Sequence, residues 1–328
     1  MKNIELHILP REIMSWKKFL EKTPMNSIAL DGIVTGGPAY DESTRHVNFD
    51  HHDKIVREAT MSTCMQVYFA INGGLFKLFR ENGKPYAHVY INDVDQDVAL
   101  SMWELENYRL IERTDKIENL KKFIELTNEL DVTGGSFPQN FNDKLIHQHN
   151  WVFEEYNKLR KSGKLADASE EIVRKNLEST NLRITAFVMG RSGEKEMEIK
   201  YEILYQSPYG YSIINEIGGN ESRPFLFLWG MDAFISLVGE RDDGKKVWSI
   251  GRRSRYIPFP VNELYNLFNK AENLSEEDGW NGSDNIGGSS RIHGSKLDYK
   301  QLSEITDNYL SEKYKNLYKK SKSNKDGV

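Results

Sequence analysis

The alternation of short apolar segments with segments of helical periodicity, over the first 105 residues, is the feature that most limits the fold of this chain. Strand-like runs occupy residues 4–9, 27–30, 47–49 and 87–91. Helix-like segments occupy residues 12–22, 55–76 and 98–103. Apolar strands that alternate with helices predict a mostly parallel sheet. The carboxyl ends of parallel strands share one edge, which is where α/β proteins bind their ligands.

Polar side chains follow three of these strands. In chain order they are Asp31, Asp50, His51, His52, Asp93, Asp95 and Asp97. Carboxylate oxygen and neutral imidazole nitrogen together suit Mn²⁺, Zn²⁺ or Fe²⁺. Because the strand ends share an edge, we expect a metal site there. Of the three acids in the last turn, Asp93 and Asp95 are the better ligand candidates, and Asp97 is expected to cap the following helix.

Each of these signals also has a purely structural interpretation. Two adjacent histidines can lie in an exposed loop, and Asp31-Gly32 is a common turn sequence. The acids around Asp95 can be one helix cap with solvated neighbours. We favour the metal site because three carboxylates in one turn repel one another unless a positive charge lies among them.

Length, charge and cysteine content limit the class of protein. A chain of 328 residues with a formal charge of −5 has room for two domains and a sizeable core. So mild a charge argues against stable binding of duplex DNA and against a membrane surface. No apolar run approaches the roughly 20 residues of a membrane span, and the first residues lack a secretory signal. The single cysteine, Cys64, excludes a disulfide framework and a multi-cysteine zinc site. Together these features predict a cytoplasmic protein.

The element Asp50-His51-His52 at a strand end resembles the signature of the DHH phosphoesterase superfamily. In that family an Asp at an earlier strand end, the Asp-His-His element and a later Asp bind one or two Mn²⁺ ions. Asp31 resembles the earlier position, and Asp93 or Asp95 resembles the later one. The resemblance therefore implies Mn²⁺ as the cofactor, with Mg²⁺ or another divalent ion as the alternative.

The resemblance also implies roles for single residues. His51 would ligate metal, His52 would contact the substrate phosphate, and Asp50 and His52 would be the catalytic pair. The family usually has a further motif on the first strand, a His or Asn followed by Asp-x-Asp. Here that strand carries only His7, and the acids at 41–42 are a possible substitute. The number of metal ions and the retention of catalysis therefore stay open.

The second half of the chain is expected to form a smaller α/β domain with a mixed sheet. Strand-like segments occupy residues 183–189, 197–204, 211–214, 225–229, 233–238 and 247–250. The sequence Asp242-Asp243-Gly244 predicts a hairpin between the last two. The clean alternation of residues 197–204 is typical of an antiparallel strand with one face in water.

Arginines 252, 253 and 255 follow the last of these strands, and a glycine-rich segment occupies residues 282–295. Arginine can clamp a phosphate bidentately, and glycine lets backbone amides face an anion. The same arginines can instead pair with the acids at 240–243. The order of strand, arginine, helix and Gly-Gly segment resembles the DHH-associated C-terminal domain. That resemblance implies the following substrate-binding residues: Arg252, Gly287, Gly288, Ser290, Arg291 and His293.

We therefore expect four segments. These are a DHH-like metal-binding domain at 1–125, a helical connector at 126–180, a substrate-binding domain at 181–310, and a helix end with a Lys-rich tail at 311–328. Within the connector, His147 and His149 are two apart on a predicted helix, so they do not share a face. We expect a structural role for this pair.

The expected activity is metal-dependent hydrolysis of a phosphate ester or phosphodiester in a nucleotide or short oligonucleotide. Two alternatives stay open, a nucleotide-binding or regulatory protein with impaired catalysis and a pyrophosphatase-like enzyme. A nucleotide enzyme needs an exposed aromatic ring for the base, and Trp280 is a candidate, although a structural role is as good an interpretation. Neither a membrane nor duplex DNA is an expected partner, and homodimer formation is left open.

Overall fold

The computed structural model describes residues 3–52, 55–112, 117–136, 143–162, 164–217, 222–275, 278–290 and 293–318. The chain divides into two compact units. The first contains Met1–Val132 and Asn140–Glu196, and the second contains Thr133–Gln139 and Met197–Val328. Most of the segment predicted as a connector therefore lies in the first unit, and the second unit begins its long stretch at residue 197 rather than 181.

The first unit combines short strands with helices. Its strands are β1 (Ile4–Ile8), β2 (Met14–Ser15), β3 (Ser27–Leu30), β4 (Val34–Thr35), β5 (Ala39–Asp41), β6 (His46–Phe49), β7 (Arg80–Glu81), β8 (Lys84–Pro85) and β9 (Ala87–Ile91). Its helices are α1 (Trp16–Lys22), α2 (Thr63–Asn72), α3 (Leu75–Leu78), α4 (Gln96–Glu106), α5 (Tyr108–Ile111), α6 (Glu118–Val132), α7 (Lys144–Val152), α8 (Glu154–Lys161) and α9 (Glu170–Val188).

The main sheet of this unit has the strand order β1-β9-β3-β6-β5. The first four strands in that order run parallel to their neighbours, and β5 pairs antiparallel with β6 at one edge. The parallel sheet predicted for the first unit is therefore present. As a result, the carboxyl ends of β9, β3 and β6 lie side by side.

Helices α2 and α4 cover one face of this sheet and pack against each other. Val67 and Ile71 of α2 and Leu100 and Trp103 of α4 are almost completely buried in the same core as the strands. Full burial of one such side chain contributes about 1.5–3 kcal/mol. Because α4 follows β9 directly, its first turn lies at the carboxyl edge of the sheet.

We predicted a strand at residues 183–189, but these residues form the end of α9 and its C-cap. Five of the six buried positions of α9, all except Asn176, are separated by steps of four and three residues: Val173, Leu177, Thr180, Ile184 and Phe187. That spacing places them on one helix face. The apolar, β-branched end of the helix resembles a strand only when it is considered apart from its charged beginning.

The second unit is built on one mixed sheet. Its strands are β10 (Glu202–Gln206), β11 (Tyr211–Asn215), β12 (Ala233–Glu240), β13 (Lys246–Arg252), β14 (Asn281–Gly282) and β15 (Ile286–Gly288). Its helices are α10 (Ser222–Leu228), α11 (Val261–Glu272) and α12 (Tyr299–Lys313). The sheet order is β10-β11-β12-β13-β15-β14, in which only the β11 and β12 pair is parallel.

The predicted strand at 225–229 is wrong, because these residues belong mostly to α10. A parallel pair needs a crossover connection, and α10 lies in the connection between β11 and β12. The predicted hairpin between β12 and β13 is confirmed, with Gly244 in the left-handed region at φ 77°. The chain is therefore a mixed α/β protein with one largely parallel and one mixed sheet.

None of the helices in the described ranges combines the length and the apolar content that a bilayer crossing requires.

Candidate metal centre

Asp31 and the two histidines meet where β3 and β6 end. The Asp31 amide donates to the Phe49 carbonyl at 2.9 Å, so the pairing of the two strands continues to the residue before Asp50. Asp31 then adopts a left-handed backbone (φ 50°), which Asp tolerates better than most residues and which ends the strand. Its Oδ1 lies 2.9 Å from His52 Nε2 and 3.4 Å from His51 Nε2.

His51 is the common member of two clusters of ligand-type atoms. Its Nε2 lies 2.7 Å from Asp131 Oδ2, 3.4 Å from Asp31 Oδ1 and 3.8 Å from Asp97 Oδ2. The His51 side chain is completely buried. Burial alone lowers the pKa of His51, but the carboxylates of Asp131 and Asp31 raise it well above its usual value. Three carboxylates, from the end of a strand and from the ends of two helices, therefore converge on one imidazole nitrogen.

The sequence analysis missed Asp131, which lies in the last turn of α6. In the sequence, Asp131 precedes Gly134 and Gly135, which favour a turn there rather than a ligand. A signal was available, because Asp131 follows Ile124 by seven residues and Thr127 by four, and both of these are buried. Asp131 therefore continues the buried face of α6, where an unpaired carboxylate is not expected.

Asp97 is also a member of the cluster, and the prediction that it caps its own helix is wrong. Its Oδ2 accepts from the Thr63 amide at 2.6 Å, and its Oδ1 accepts from the Cys64 amide at 2.8 Å. These amides are the first of α2, so Asp97 binds the positive end of a neighbouring helix. Burial, followed by the charges of Asp131 and Asp31, raises the pKa of Asp97 to about 7.

Asp95, not Asp97, is the N-cap of α4, and its Oδ1 accepts from the Val98 amide at 2.9 Å. Asp93 accepts from the amide of its own successor, Val94, at 2.7 Å. Neither predicted ligand belongs to the His51 clusters. The physical reason is that both carboxylates satisfy backbone amides of their own turn. Asp95 nevertheless interacts electrostatically with the cluster. Burial and the charges of Asp31 and Asp131 raise the pKa of Asp95 well above the usual range.

Asp50 organises the histidine turn rather than reaching outward. Its Oδ1 accepts from the amides of His51 at 2.8 Å and His52 at 3.1 Å. Its Oδ2 is buried and has no hydrogen-bond partner among the described residues. His52, by contrast, has 42% of its side chain exposed. His52 is therefore the member of the cluster that is placed to touch a molecule arriving from solvent.

The donor set fits a divalent cation. The donor atoms are the imidazoles of His51 and His52 and the carboxylates of three aspartates, Asp31, Asp97 and Asp131. This mixture suits Mn²⁺, Zn²⁺ or Fe²⁺. The buried His51 Nδ1 has no hydrogen-bond partner in the described part of the chain. Arg57 compensates part of the negative charge, since its Nη2 lies 3.6 Å from Asp131 Oδ2 and 3.4 Å from His51 Nε2.

In the second unit, the arginines predicted to bind phosphate have protein partners. Arg252 donates to Asn285 Oδ1 and to the carbonyls of Arg255 and Ile257, each at 3.3 Å. Arg255 donates to Asp284 at 2.7 Å. The contacts of these arginines therefore support a structural role. Their acidic partner is Asp284 and not one of the acids at 240–243 that we predicted.

Gly287 and Gly288 belong to β15 and pair with Ile250 and Ser249 of β13. A Cβ on Gly287 would lie only 2.0 Å from the hydroxyl oxygen of Tyr265. One on Gly288 would lie 2.5 Å from the Trp248 carbonyl oxygen. Close packing in a sheet therefore accounts for both glycines, which lie in a paired strand.

The remaining predicted residues of this unit differ in their surroundings. Ser290 is buried, and its hydroxyl accepts from the amide of the exposed His293 at 2.9 Å. Arg291 lies outside the described residues. Trp280 is 1% exposed and its indole nitrogen donates to Glu272, so its role is structural.

The structural role predicted for the His147 and His149 pair agrees with the burial of His149. His149 is 4% exposed, lies between the rings of Phe123 and Phe153, and is 3.1 Å from the Thr127 hydroxyl. Burial lowers the pKa of His149 to about 3.

His149 predicts a pH-dependent stability. Because its pKa is lowered on folding, the unfolded chain takes up the proton first as the pH falls below about 6.5. Stability is therefore complete above that pH and is lost progressively towards pH 3. Relative to His149→Gln, the wild-type chain is expected to lose about 2 kcal/mol of unfolding free energy between pH 7.5 and pH 5.0. Urea unfolding of both proteins at the two pH values measures this difference, and parallel losses would contradict it.

No protein-family model matches this chain, and no curated protein matches it.

Proposed function

We propose that this chain is a metal-dependent phosphoesterase that hydrolyses a phosphate ester or phosphodiester of a nucleotide or short oligonucleotide. The observation that supports it best is the buried group of His51, Asp31, Asp97 and Asp131, joined through Asp31 to the half-exposed His52. A buried ligand set beside one solvent-facing imidazole suits a reaction on an anionic substrate. Mn²⁺ is the proposed cofactor.

Each residue has a distinct role in this proposal. A bound divalent cation supplies charge compensation and activates water. Asp31 holds His52 in place through the 2.9 Å contact with its Nε2. Asp50 fixes the turn that carries both histidines, because it accepts from both of their amides. His52 then binds and orients a phosphate oxygen from the exposed side of the cluster.

The second unit exposes two large aromatic side chains of the kind that a base-binding surface needs. Trp229 is 76% exposed and Tyr256 is 81% exposed. Bases stack on such rings with little dependence on sequence, at about 1–3 kcal/mol per base. Within the second unit these rings, rather than the buried Trp280, are therefore our candidates for stacking on a base.

The test is hydrolysis of a panel of substrates by Mn²⁺-loaded protein. The panel contains a 5′-mononucleotide, a linear dinucleotide and inorganic pyrophosphate. We expect cleavage of at least one nucleotide, and a loss of roughly 10²-fold or more in kcat for His52→Ala, the scale expected when a group that orients the reacting phosphate is removed. His147→Gln, a histidine outside both clusters, is the matched control. Metal-loaded protein that leaves the whole panel intact would contradict hydrolysis, and cleavage of pyrophosphate alone would point to the pyrophosphatase-like alternative.

A second candidate function is nucleotide binding without turnover. It is favoured by Arg57, whose guanidinium lies within 3.6 Å of both His51 and Asp131 and already supplies positive charge to the cluster. It is also favoured by the end of β1, where Ile8 and Leu9 offer no ligand atom on their side chains.

Calorimetry with the same nucleotides separates these two functions. Binding with no product after prolonged incubation supports the binding protein, whereas turnover excludes it. Arg57→Gln sharpens the comparison. If Arg57 stands in for a cation, its removal is expected to strengthen Mn²⁺ binding, and if it anchors the ligands, its removal is expected to weaken it.

A further inference from the structure

A third cluster of ligand-type side chains, apart from the two that share His51, lies on the face of the first unit's sheet opposite α2 and α4. Glu5 and His7 are two residues apart on β1, so they project from the same face of that strand. His88 of β9 lies opposite Glu5 in the register. The intervening Leu6 packs against the core on the opposite face. Strand pairing therefore brings two imidazoles and one carboxylate together outside the His51 clusters.

The distances in this group match those of a metal site. His7 Nε2 lies 3.2 Å from His88 Nδ1. One Glu5 carboxylate oxygen lies 3.6 Å from His7 Nε2, and the other lies 3.6 Å from His88 Nδ1. Metal–ligand bonds of about 2.0–2.2 Å place neighbouring ligand atoms of a tetrahedral site about 3.3–3.6 Å apart. The three groups therefore need little movement to hold one ion.

Neighbouring residues hold the three side chains in place. The Tyr86 hydroxyl donates to Glu5 Oε2. The His7 ring stacks on Tyr90 with the centroids 4.4 Å apart and the planes 10° from parallel. Metal-binding histidines and carboxylates in proteins are usually oriented by such outer partners.

We propose that Glu5, His7 and His88 bind a divalent first-row transition metal, with Zn²⁺ as the best-fitting ion. Two imidazoles and one carboxylate are a common zinc ligand set, and the hard ions Mg²⁺ and Ca²⁺ prefer all-oxygen sites. Glu5 is half exposed, with 53% of its side chain accessible, and the His7 side chain is 29% exposed. The fourth position of the tetrahedron therefore faces solvent. Because β1 is an edge strand, the ion also ties that edge to its neighbour β9.

The test is Zn²⁺ titration of the full chain in competition with a chromogenic chelator. His7→Gln and His88→Gln are each expected to remove one bound equivalent of Zn²⁺. Loss of an outer partner of a ligand lowers metal affinity by up to about 100-fold, and the loss of a ligand itself should be larger. Tyr86→Phe is expected to weaken the same site by about 10- to 100-fold. His147→Gln is the matched control and should bind like the wild type. Circular dichroism checks that each variant is folded. Glu5→Gln changes the third ligand, and it is expected to have little effect on folding because Glu5 is exposed.

His51→Ala separates this site from the centre proposed for catalysis. In that variant the Glu5, His7 and His88 equivalent is expected to remain, and Co²⁺ bound there should keep the visible absorption of a tetrahedral site. Equal stoichiometry in wild-type, His7→Gln and His88→Gln proteins would overturn the proposal, because the two imidazoles would then be only hydrogen-bonded to each other. Loss of all Zn²⁺ binding in His51→Ala would overturn it too. Neither result depends on whether the chain hydrolyses a phosphate ester.

Discussion

Asp131→Asn is expected to weaken Mn²⁺ binding to the first unit by more than about 100-fold, beyond the usual cost of losing an outer partner of a metal ligand. Asp131 Oδ2 is the carboxylate atom nearest to His51 Nε2, at 2.7 Å, and it also lies 3.6 Å from Arg57 Nη2. The amide that replaces it has nearly the same shape but carries no charge. Calorimetric titration with Mn²⁺ measures the loss, and an unchanged affinity would remove Asp131 from the site.

Two further variants make this experiment specific. Glu125→Gln on the same helix removes the same charge at a half-exposed position, where Glu125 lies 3.6 Å from Lys121, and it should bind Mn²⁺ like the wild type. Asp95→Asn tests our original ligand assignment. Asn caps a helix about as well as Asp, so the structure predicts a small change in affinity, whereas the sequence-based assignment predicts a loss as large as that of Asp131→Asn.

Arg223→Met is expected to destabilise the second unit by about 3–5 kcal/mol, the usual cost of leaving a buried charge unpaired. The Glu216 side chain is completely buried, and Arg223 donates to both of its carboxylate oxygens. One of these bonds joins Arg223 Nη2 to Glu216 Oε2 at 3.1 Å. The guanidinium also lies over the Phe234 ring at 4.6 Å. Methionine fills much of the same space and pairs with nothing, so Glu216 loses its partner.

Restoring the balance of charge tests this explanation. Adding Glu216→Leu to Arg223→Met is expected to recover stability, because a buried ion pair replaced by apolar groups is often neutral or stabilising. Lys245→Met, which breaks the exposed pair with Asp243 at 3.0 Å, is the control and should cost less than about 1 kcal/mol. Urea unfolding measures all four proteins. A double variant that is less stable than Arg223→Met would show that the cost lies in lost packing rather than in the stranded carboxylate.

The sequence was sufficient for those parts of the fold that depend on local patterns. Strands at 27–30 and 87–91 were recognised because short apolar runs bounded by polar turns have few other structures. Once those strands are placed in a parallel sheet, topology alone puts Asp31 next to His51 and His52. The errors at 183–189 and 225–229 came from apolar segments whose length and residue types suit a strand and a helix equally.

The rest of the metal centre could not be obtained in this way. Asp131 reaches His51 from the end of α6, eighty residues along the chain, and nothing in the spacing of the sequence relates the two. Asp95 and Asp97 are equally good caps by residue type, and the structure assigns the cap to Asp95 because Asp97 binds the first two amides of α2. Which carboxylate is available depends on which backbone amides the neighbouring helix presents.

Gly287 and His7 show the same difference between what the residue type indicates and what the surrounding structure decides. Gly287 indicated substrate binding, but it lies in a paired strand, where glycine is needed because a side chain would collide with the Tyr265 hydroxyl. His7 stood alone in the sequence and gained a partner when β1 paired with β9, which brings in His88. Local periodicity determines the elements and the edge of the sheet where acids gather. The neighbours of each side chain, and with them its charge and its possible ligands, are decided by packing between segments that are distant in the chain.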